Sequence, residues 1–351
     1  MNRGKPQKFI SLAQEILHRT QADGLRSGDR LPSERELAGT FRCNHLTVRK
    51  ALKLLSAQGQ LHTIPGRGSF LGAGTAPGGK SDRIGFIFPD DEIFYYRIFA
   101  EVERMAASNG LHPVVHLTGG SVRKENELLE YFERSGAAAL IAVPNRLCAD
   151  RYRQLRIPLL FFDMRLPELA IPQIISDDYS GALSAVEQLI LLGHTRIAHI
   201  GSEYDYTGEQ RLNGFQDALR KYALPRRPQL IRMRYPSREW GYHAIRELFA
   251  LKQPPTAVFC ANDTIAAGVA GFCSDRGIAI PEQLSVIGFG NTPTAEYLNL
   301  NSVSQNAGKI SGAICGNLAK LLDRAEIPPL TVIPTSYINR GSVRPPAKRS
   351  A

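Results

Sequence analysis

The sequence lacks an uninterrupted apolar run of the roughly 18 residues that a membrane-spanning helix needs. Its first residues are basic and lead into an amphipathic stretch, which is unlike the apolar core of a signal peptide. Cysteine is scarce, with an odd number of residues at irregular spacing, at positions 43, 148, 260, 273 and 315. This usage does not suit a disulfide framework or a zinc motif. We therefore expect free thiols, no membrane partner and a cytoplasmic location.

Two motifs of common enzyme classes, the dinucleotide-binding fingerprint and the nucleophile elbow, are also missing. Gly72 and Gly74 lack the third glycine and the following helix of a dinucleotide-binding fingerprint. A Gly-x-Ser-x-Gly nucleophile elbow does not occur either. His194 and His199 lie five residues apart across a predicted loop–strand junction, so they should not share a face that could bind a metal ion. The expectation is a protein that is not an enzyme and has no cofactor and no metal site.

The positive charge is concentrated near the amino terminus. The 351 residues carry a formal net charge of +10. Residues 1–80 hold 13 basic and 5 acidic residues, a net +8, whereas the remainder holds 30 basic and 28 acidic residues, a net +2. This asymmetry indicates a polyanion-binding module joined to a nearly neutral body, although charge alone fits a basic solvated surface about equally well.

The chain divides into a short first module, a glycine-rich linker at 72–82, a long body at 83–343 and a flexible tail at 344–351. In the body, short apolar runs predict buried strands at 84–88, 138–143, 159–162, 197–200, 257–260 and 286–289. Helical patterns lie between them, for example at 99–107, 183–192, 214–221 and 242–251. Strand–helix alternation over about 260 residues predicts an α/β body with two doubly wound lobes, each built on a parallel sheet.

The first module, residues 1–71, shows the pattern of a winged helix-turn-helix. Apolar residues at helical spacing predict a first helix, and Ser33 with Glu36 forms a capping box that opens a second. The third helix has an apolar face and a basic face that includes Arg49. Two short strands joined by a tight turn follow, with Arg67 at the tip. The third helix can enter a DNA major groove while Arg67 approaches the minor groove.

Residues 9–71 resemble the GntR family of bacterial regulators. The matching motifs are Gly28-x-x-Leu31-Pro32-Ser33-Glu34-Arg35-x-Leu37-Ala38, Thr47-Val48-Arg49-Lys50-Ala51-Leu52 and Gly66-Arg67-Gly68-Ser69-Phe70. The resemblance implies that Arg35 and Arg49 contact DNA, with Thr47 alongside and Gly66 in the wing. His45 stands where many members have arginine and is expected to read a base or a phosphate.

Polar and aromatic side chains follow the predicted strands of the body, where ligands bind in open parallel sheets. They are Phe94, Tyr95, Asp163, Arg211, Asn262 and Asn291. Aromatic rings can cover the apolar face of a sugar while the polar groups bind its hydroxyls, although nucleosides or small acids suit the same set. Structural roles are equally open: the two aromatics can be core residues, Asn262 can cap a helix, and Asp163 can pair with Arg165.

Residues 83–343 resemble the LacI/GalR family, whose sensor domain has the fold of periplasmic sugar-binding proteins. The matching segments are Leu192-Gly193-His194-Thr195-Arg196-Ile197-Ala198, Arg211-x-x-Gly214-Phe215-x-x-Ala218-Leu219, Pro255-Thr256-Ala257-Val258-Phe259-Cys260-Ala261-Asn262-Asp263 and Val286-Ile287-Gly288-Phe289. The family's effector positions fall on Phe94, Tyr95, Asp163, Arg211 and Asn262. The aspartate that usually follows the last segment is replaced by Gly290, with Asn291 next.

A GntR-type head on a LacI-type body is the layout of the arabinose-repressor group. It implies a homodimeric transcription regulator, most simply a repressor, that binds a palindromic operator in double-stranded DNA and responds to a sugar-like effector. One alternative is a pyridoxal-phosphate enzyme fused to a DNA-binding head, although neither Lys252 nor Lys309 has an evident phosphate cradle nearby. A transport-linked binding protein is disfavoured by the basic head.

Overall fold

The computed structural model describes residues 8–25, 28–57, 60–64, 68–72, 82–203 and 206–347. Most of the predicted linker 72–82 and the end of the predicted tail lie outside these ranges. Arg344, the predicted first residue of the flexible tail, is anchored to the body. Its backbone N–H donates to Ser285 Oγ at 3.1 Å, and its carbonyl lies 2.9 Å from His194 Nε2. The prediction of flexibility is therefore corrected for this residue.

The amino-terminal module contains three helices and a two-stranded antiparallel sheet, as the sequence predicts. The elements are α1 (Lys8–Ala22), α2 (Glu34–Thr40), α3 (His45–Ala57), β1 (Leu61–Ile64) and β2 (Gly68–Leu71). The predicted capping box is present, with Ser33 and Glu36 each bonding the other's backbone N–H. Apolar side chains from all three helices and β1 form one small core that includes Leu12, Ile16, Leu37, Val48, Leu55 and Leu61.

The body consists of two lobes, each built around a six-stranded sheet. The sheet of the first lobe is entirely parallel and contains β3 (Arg83–Phe88), β4 (His112–Leu117), β5 (Ala139–Ala142), β6 (Leu159–Phe162), β7 (Gln173–Ser176) and β13 (Leu330–Ile333), in the order β13-β7-β6-β5-β3-β4. Its helices are α4 (Ile93–Ala107), α5 (Val122–Arg134), α6 (Ala149–Gln154) and α12 (Ala307–Leu322).

The second sheet is parallel except for its last strand. It contains β8 (Ile197–Ser202), β9 (Ile231–Arg234), β10 (Ala257–Cys260), β11 (Ser285–Phe289), β12 (Asn301–Ser304) and β14 (Ser336–Ile338), in the order β14-β12-β11-β10-β8-β9. The accompanying helices are α7 (Asp178–Leu191), α8 (Tyr206–Lys221), α9 (Arg238–Phe249), α10 (Asp263–Asp275) and α11 (Pro293–Tyr297).

Three chain crossings connect the lobes. They run from β7 to α7, from β12 to α12 and from β13 to β14. The first and third of these crossings are joined to each other, because the backbone N–H of Asp177 donates to the carbonyl of Ile333 at 2.9 Å and the Thr335 hydroxyl donates to the Asp177 carbonyl at 3.3 Å. These two segments between the lobes are therefore held together by backbone and side-chain hydrogen bonds.

All six predicted strands are present, and the two lobes are confirmed. The sequence did not predict the other six strands of the body, β4, β7, β9, β12, β13 and β14. Among them, β12 is buried although it carries Asn301 and Ser302. Asn301 Oδ1 accepts from the backbone N–H groups of Arg340 and Ser342, at 2.8 and 3.0 Å, and the Ser302 hydroxyl donates to Asp263 at 2.7 Å. A buried polar strand has no hydrophobic signature, and its stability depends on such partners.

Helices α9 and α10 approach so closely that glycine is required at the contact. A Cβ atom on Gly268 would collide with the backbone carbonyl of Arg238, whereas a Cβ on Gly312 in α12 would meet nothing within 4 Å. We expect Gly268→Ala to lower the free energy of unfolding by about 2 kcal/mol or more, because backbone must move. Gly312→Ala should raise it by about 0.5–1 kcal/mol. Urea denaturation monitored by circular dichroism measures both, and equal effects would contradict the packing described.

Candidate functional site

A cavity of about 590 Å³ lies between the two lobes of the body, with lining residues from both. It is bordered by the segments that follow β3, β5, β6, β8, β10 and β11, as expected for open parallel sheets. Five of the six predicted effector residues line it, namely Phe94, Tyr95, Asp163, Arg211 and Asn262. The tertiary structure thus brings together residues that lie up to 168 positions apart in the chain.

The aromatic wall of the cavity belongs to the first lobe. Phe94 and Tyr95 lie in the first turn of α4, and the Tyr95 ring stacks on Phe88 with 5.3 Å between centroids. Both residues are core members, 5% and 8% exposed, and both line the cavity. The pair can therefore be part of the core, as one interpretation of the sequence held, and also border the cavity, as the other required. Burial and the neighbouring Asp163 carboxylate raise the pKa of Tyr95 well above its usual range, so its hydroxyl remains a donor.

Asp163 lies at the end of β6 and accepts two side-chain hydrogen bonds. The Tyr95 hydroxyl donates to Oδ2 at 2.9 Å, and Gln305 Nε2 donates to Oδ1 at 3.2 Å. The residue has φ 63°, in the left-handed region that aspartate tolerates better than most residues. Its carboxylate is thus fixed at the cavity wall by groups from α4 and from the β12–α12 crossing.

Gln305 connects this carboxylate to the second lobe. Its Nε2 also donates to Ser176 Oγ at 3.0 Å, and the Ser176 hydroxyl donates to Asp178 Oδ2 at 2.9 Å. Asp178 Oδ1 accepts from Arg211 Nε and Nη2 at 2.9 and 2.7 Å. We call this connected set the interlobe network; its members are Tyr95, Asp163, Gln305, Ser176, Asp178 and Arg211. The sequence did not indicate its three middle members: Ser176 ends β7, a strand that was not predicted, Asp178 begins α7, and Gln305 lies between β12 and α12.

Arg211 of α8 is held on several sides. Besides its pair with Asp178, its Nη1 donates to the carbonyl of Ala261 at 2.7 Å, and its guanidinium lies 3.9 Å from the centre of the Phe289 ring. The side chains of Arg211 and Asp178 are 8% and 0% exposed. The charge of Arg211 is therefore already balanced where it borders the cavity.

Asn262 both caps a helix and reaches across the cavity. Its Oδ1 accepts from the backbone N–H of Ile265 at 2.8 Å, which caps α10, and its Nδ2 donates to Glu92 Oε1 of the first lobe at 2.9 Å. The Thr264 hydroxyl donates to the same oxygen at 2.9 Å. Burial raises the pKa of Glu92, with Asp90 and Asp263 adding to the shift. Glu92 therefore joins the lobes at the edge of the cavity, a role the sequence did not indicate.

Asn291 is not among the residues that line the cavity. Its Oδ1 accepts from Arg340 Nη2 at 2.5 Å, and its carbonyl accepts from Arg97 Nη1 at 2.9 Å. Gly290, at φ 119°, lines the cavity beside it. Asn291 was expected here because it follows β11, but the turn after the strand directs its amide to a residue 49 positions away.

Further lining residues follow the end of β5, and the sequence-based prediction did not include them. Asn145 and Arg146 lie there, and they could have been found by the rule that ligands bind beyond strand ends. Glu125 of α5 also lines the cavity and is 1% exposed. It accepts from the Asn145 backbone N–H and from the Tyr152 hydroxyl, both at 2.9 Å. Nothing local in the sequence distinguishes Glu125 from a solvated helix glutamate.

In the amino-terminal module, the residues predicted to contact DNA lie on α2 and α3. Arg35, His45 and Arg49 are exposed and Thr47 is half-buried. Glu34 joins two of them, because its Oε2 lies 2.7 Å from His45 Nε2 and 3.1 Å from Arg49 Nη2. Gly66 and Arg67 lie outside the described residues.

Sequence reasoning did not single out Leu46 in the first turn of α3. This apolar side chain is 60% exposed on the helix that carries the basic face. An exposed leucine at such a position suits contact with a thymine methyl group, the apolar feature of the major groove.

Comparisons with known proteins agree with this architecture. Residues 11–71 match the family described as bacterial regulatory proteins, gntR family, and residues 186–343 match the periplasmic binding protein-like domain. The chain is 28% identical over 300 residues to the arabinose metabolism transcriptional repressor of Geobacillus stearothermophilus, covering 80% of this chain and 81% of the relative. It is also 30% identical over 234 residues to the HTH-type transcriptional repressor CytR of Escherichia coli. That alignment covers 64% of this chain and 68% of the relative.

A solved structure shows the same body. A LacI-family transcriptional regulator from Sanguibacter keddieii aligns with a TM-score of 0.67 at 26% identity, covering 75% of this chain and 99% of the other.

The chain belongs to the LacI/GalR family and carries a GntR-type head.

Membership of the LacI/GalR family gives no support to the alternative of a pyridoxal-phosphate enzyme, since the matched relatives are transcriptional regulators. In the described parts of the chain, no helix is long and apolar enough to cross a bilayer. The same residues contain no group of three or more His, Cys, Asp or Glu side chains arranged to hold a metal ion.

The buried ion pair of this LacI/GalR-type body makes a testable contribution to stability. We expect Asp178→Asn to lower the free energy of unfolding by about 3 kcal/mol, because the buried Arg211 guanidinium then loses the negative charge of Asp178. The control is Glu127→Gln, which removes a pair with Arg123 whose side chains are 58% and 83% exposed. That change should cost less than about 0.5 kcal/mol. Similar urea midpoints for the two variants would show that the buried pair has no special role.

Proposed function

We propose that the protein is a transcriptional repressor whose affinity for operator DNA is set by a small sugar-like effector bound between the lobes. The observation that carries this proposal is the interlobe network. It connects two predicted effector residues, Asp163 and Arg211, to Gln305 and Ser176 at the crossings between the lobes. A ligand that contacts either end therefore acts on the segments about which the lobes would turn.

We propose that the head comprises residues 1–71, is joined by the linker 72–82 to a body at 83–343, and reads DNA with α3 in the major groove. Arg35, His45, Thr47 and Arg49 would contact bases and phosphates, and Gly66 and Arg67 would bring the wing to the minor groove. The exposure of Arg35, His45 and Arg49, the net charge of +8 over residues 1–80 and the match to the gntR family support this assignment.

For the effector, we propose that Phe94 and Tyr95 cover the apolar face of the ligand while Asp163, Arg211 and Asn262 bind its polar groups. Asn291 would act indirectly, by shaping the turn that places Gly290 on the cavity wall. A sugar-class effector is supported by the relative named as an arabinose metabolism repressor.

We further propose that the protein acts as a homodimer on a palindromic operator, because a two-fold axis places two heads on two equivalent half-sites. A cytoplasmic location follows from the need to reach DNA. All five cysteines are free thiols, which is compatible with that compartment.

Coupling between effector and DNA tests the proposal directly. A duplex selected from a random pool by the full-length protein is titrated with and without an effector found by thermal-shift screening of sugars, polyols and nucleosides. The effector should change DNA affinity by about 5–150-fold, and the selected duplex must change effector affinity by the same factor. DNA affinity that is unaffected by a saturating effector would refute the proposed switch.

Arg49→Ala should weaken binding to the selected duplex by about 10-fold or more at fixed salt, because it removes a guanidinium from the recognition helix. The control is Arg123→Ala, which removes an exposed arginine of the body, 83% exposed, and should leave DNA affinity unchanged. Fluorescence anisotropy with a labelled duplex measures both. In the absence of DNA, Arg49→Ala and the wild-type protein should bind the effector equally well. If Arg49→Ala bound the duplex as tightly as the wild type, the assignment of Arg49 to the DNA contact would be rejected.

A further inference from the structure

The cavity between the lobes has an excess of acidic side chains. Carboxylates outnumber guanidinium groups five to two among its lining residues, and these contain no lysine or histidine. The acidic set is Asp90, Glu92, Glu125, Asp163 and Glu203. It comes from both lobes, because Glu203 follows β8 and the other four belong to the first lobe.

The two guanidinium groups do not balance this charge. Arg211 is paired with Asp178, a sixth carboxylate directly behind the cavity wall. Arg146 is exposed and lies in a short turn after β5. Among the described residues that line the cavity, a negatively charged ligand would therefore meet five carboxylates, the exposed Arg146 and the Arg211 guanidinium that already pairs with Asp178.

The buried acids of the first lobe strengthen this argument. Glu125 is 1% exposed, and it accepts hydrogen bonds from two neutral donors, the backbone N–H of Asn145 and the hydroxyl of Tyr152. Glu92 accepts from the neutral side chains of Asn262 and Thr264. Burial raises the pKa of both carboxyl groups, so a further negative charge nearby would disfavour their ionised forms still more. A ligand that donates hydrogen bonds or carries a positive charge has the opposite effect.

We propose that the effector carries no negative charge and presents hydroxyl or ammonium donors to the carboxylates of the cavity, Glu92 and Glu125 in particular. This inference rests on the proposed function, because it takes the cavity as the effector site. It narrows the effector class, because sugar acids and phosphorylated sugars are excluded. Two kinds of compound remain that can donate hydrogen bonds to the carboxylates, namely neutral polyhydroxylated compounds and amino sugars.

Matched ligands on one carbon skeleton test the inference. For each of several aldoses, the neutral sugar, its 2-amino-2-deoxy derivative, its uronic acid and its 6-phosphate are screened by thermal shift at equal concentration, and stabilising compounds are titrated by calorimetry. The neutral or the amino compound should bind at least about 10-fold more tightly than the acid and the phosphate of the same series. The stronger of the two non-acidic compounds identifies whether hydroxyl or ammonium donors are recognised.

Charge variants test the cause of the selectivity. Glu92→Gln keeps an oxygen that can accept from Asn262 and Thr264 but removes the negative charge, and Glu103→Gln makes the same charge change at an exposed position of α4. The affinity ratio between the neutral ligand and its matched acid should fall about threefold or more in Glu92→Gln and stay constant in Glu103→Gln. Glu203→Gln repeats the test from the second lobe if Glu92→Gln proves unstable.

The outcomes separate the two proposals. A uronic acid or sugar phosphate that binds more tightly than its neutral counterpart and still modulates DNA binding would overturn the charge inference and leave the proposed function intact. Equal effects of Glu92→Gln and Glu103→Gln on the affinity ratio would likewise overturn it. Binding of none of the compounds, together with DNA affinity that responds to none, would count against the effector site itself and hence against both proposals.

Discussion

A continuous set of buried hydrogen bonds between the lobes is the constraint on which the candidate site depends. It starts at the Tyr95 hydroxyl and ends at the Arg211 guanidinium, with donors and acceptors matched at each step. In a low-dielectric interior, a satisfied network of this kind is rigid and a broken one is costly, so the side chains have few alternative arrangements. The network therefore positions cavity-lining groups from both lobes, and its middle members lie in or directly beside the β7–α7 and β12–α12 crossings.

The second physical feature is the separation of charge along the chain. The head carries most of the excess positive charge, whereas the cavity of the body is lined mainly by carboxylates. The positive head attracts a polyanion over distances of about a Debye length, roughly 8–10 Å at physiological salt. The carboxylates act at much shorter range, inside a cavity where screening by salt is weak. One chain can thus hold a cationic surface for DNA and an acidic cavity for a small ligand without conflict between them.

The sequence predicted five of the residues that line the cavity, but not how their side chains are held. The resemblance to the LacI/GalR family placed Asp163, Arg211 and Asn262 at the site, and all three line the cavity. Their partners were not foreseen. Asp178 lies 33 residues from Arg211, and Glu92 lies 170 residues from Asn262. A pattern along the chain carries no information about which distant carboxylate meets a given donor. Asn291 is a further example: the sequence placed it at the site, but its side-chain oxygen accepts a hydrogen bond from the distant Arg340 and the residue does not line the cavity.

The sequence by itself determined the features that depend on neighbours along the chain. These are the capping box of α2, the basic face of α3, the alternation of apolar strands with amphipathic helices and the resulting pair of parallel sheets, all of which follow from periodicity and local hydrogen bonding. Only the tertiary structure decided that β12 is a buried polar strand, that Gln305 and Ser176 join the lobes, and that carboxylates dominate the cavity. The physical reason is that burial, pairing and local dielectric are set by atoms brought together from distant parts of the chain.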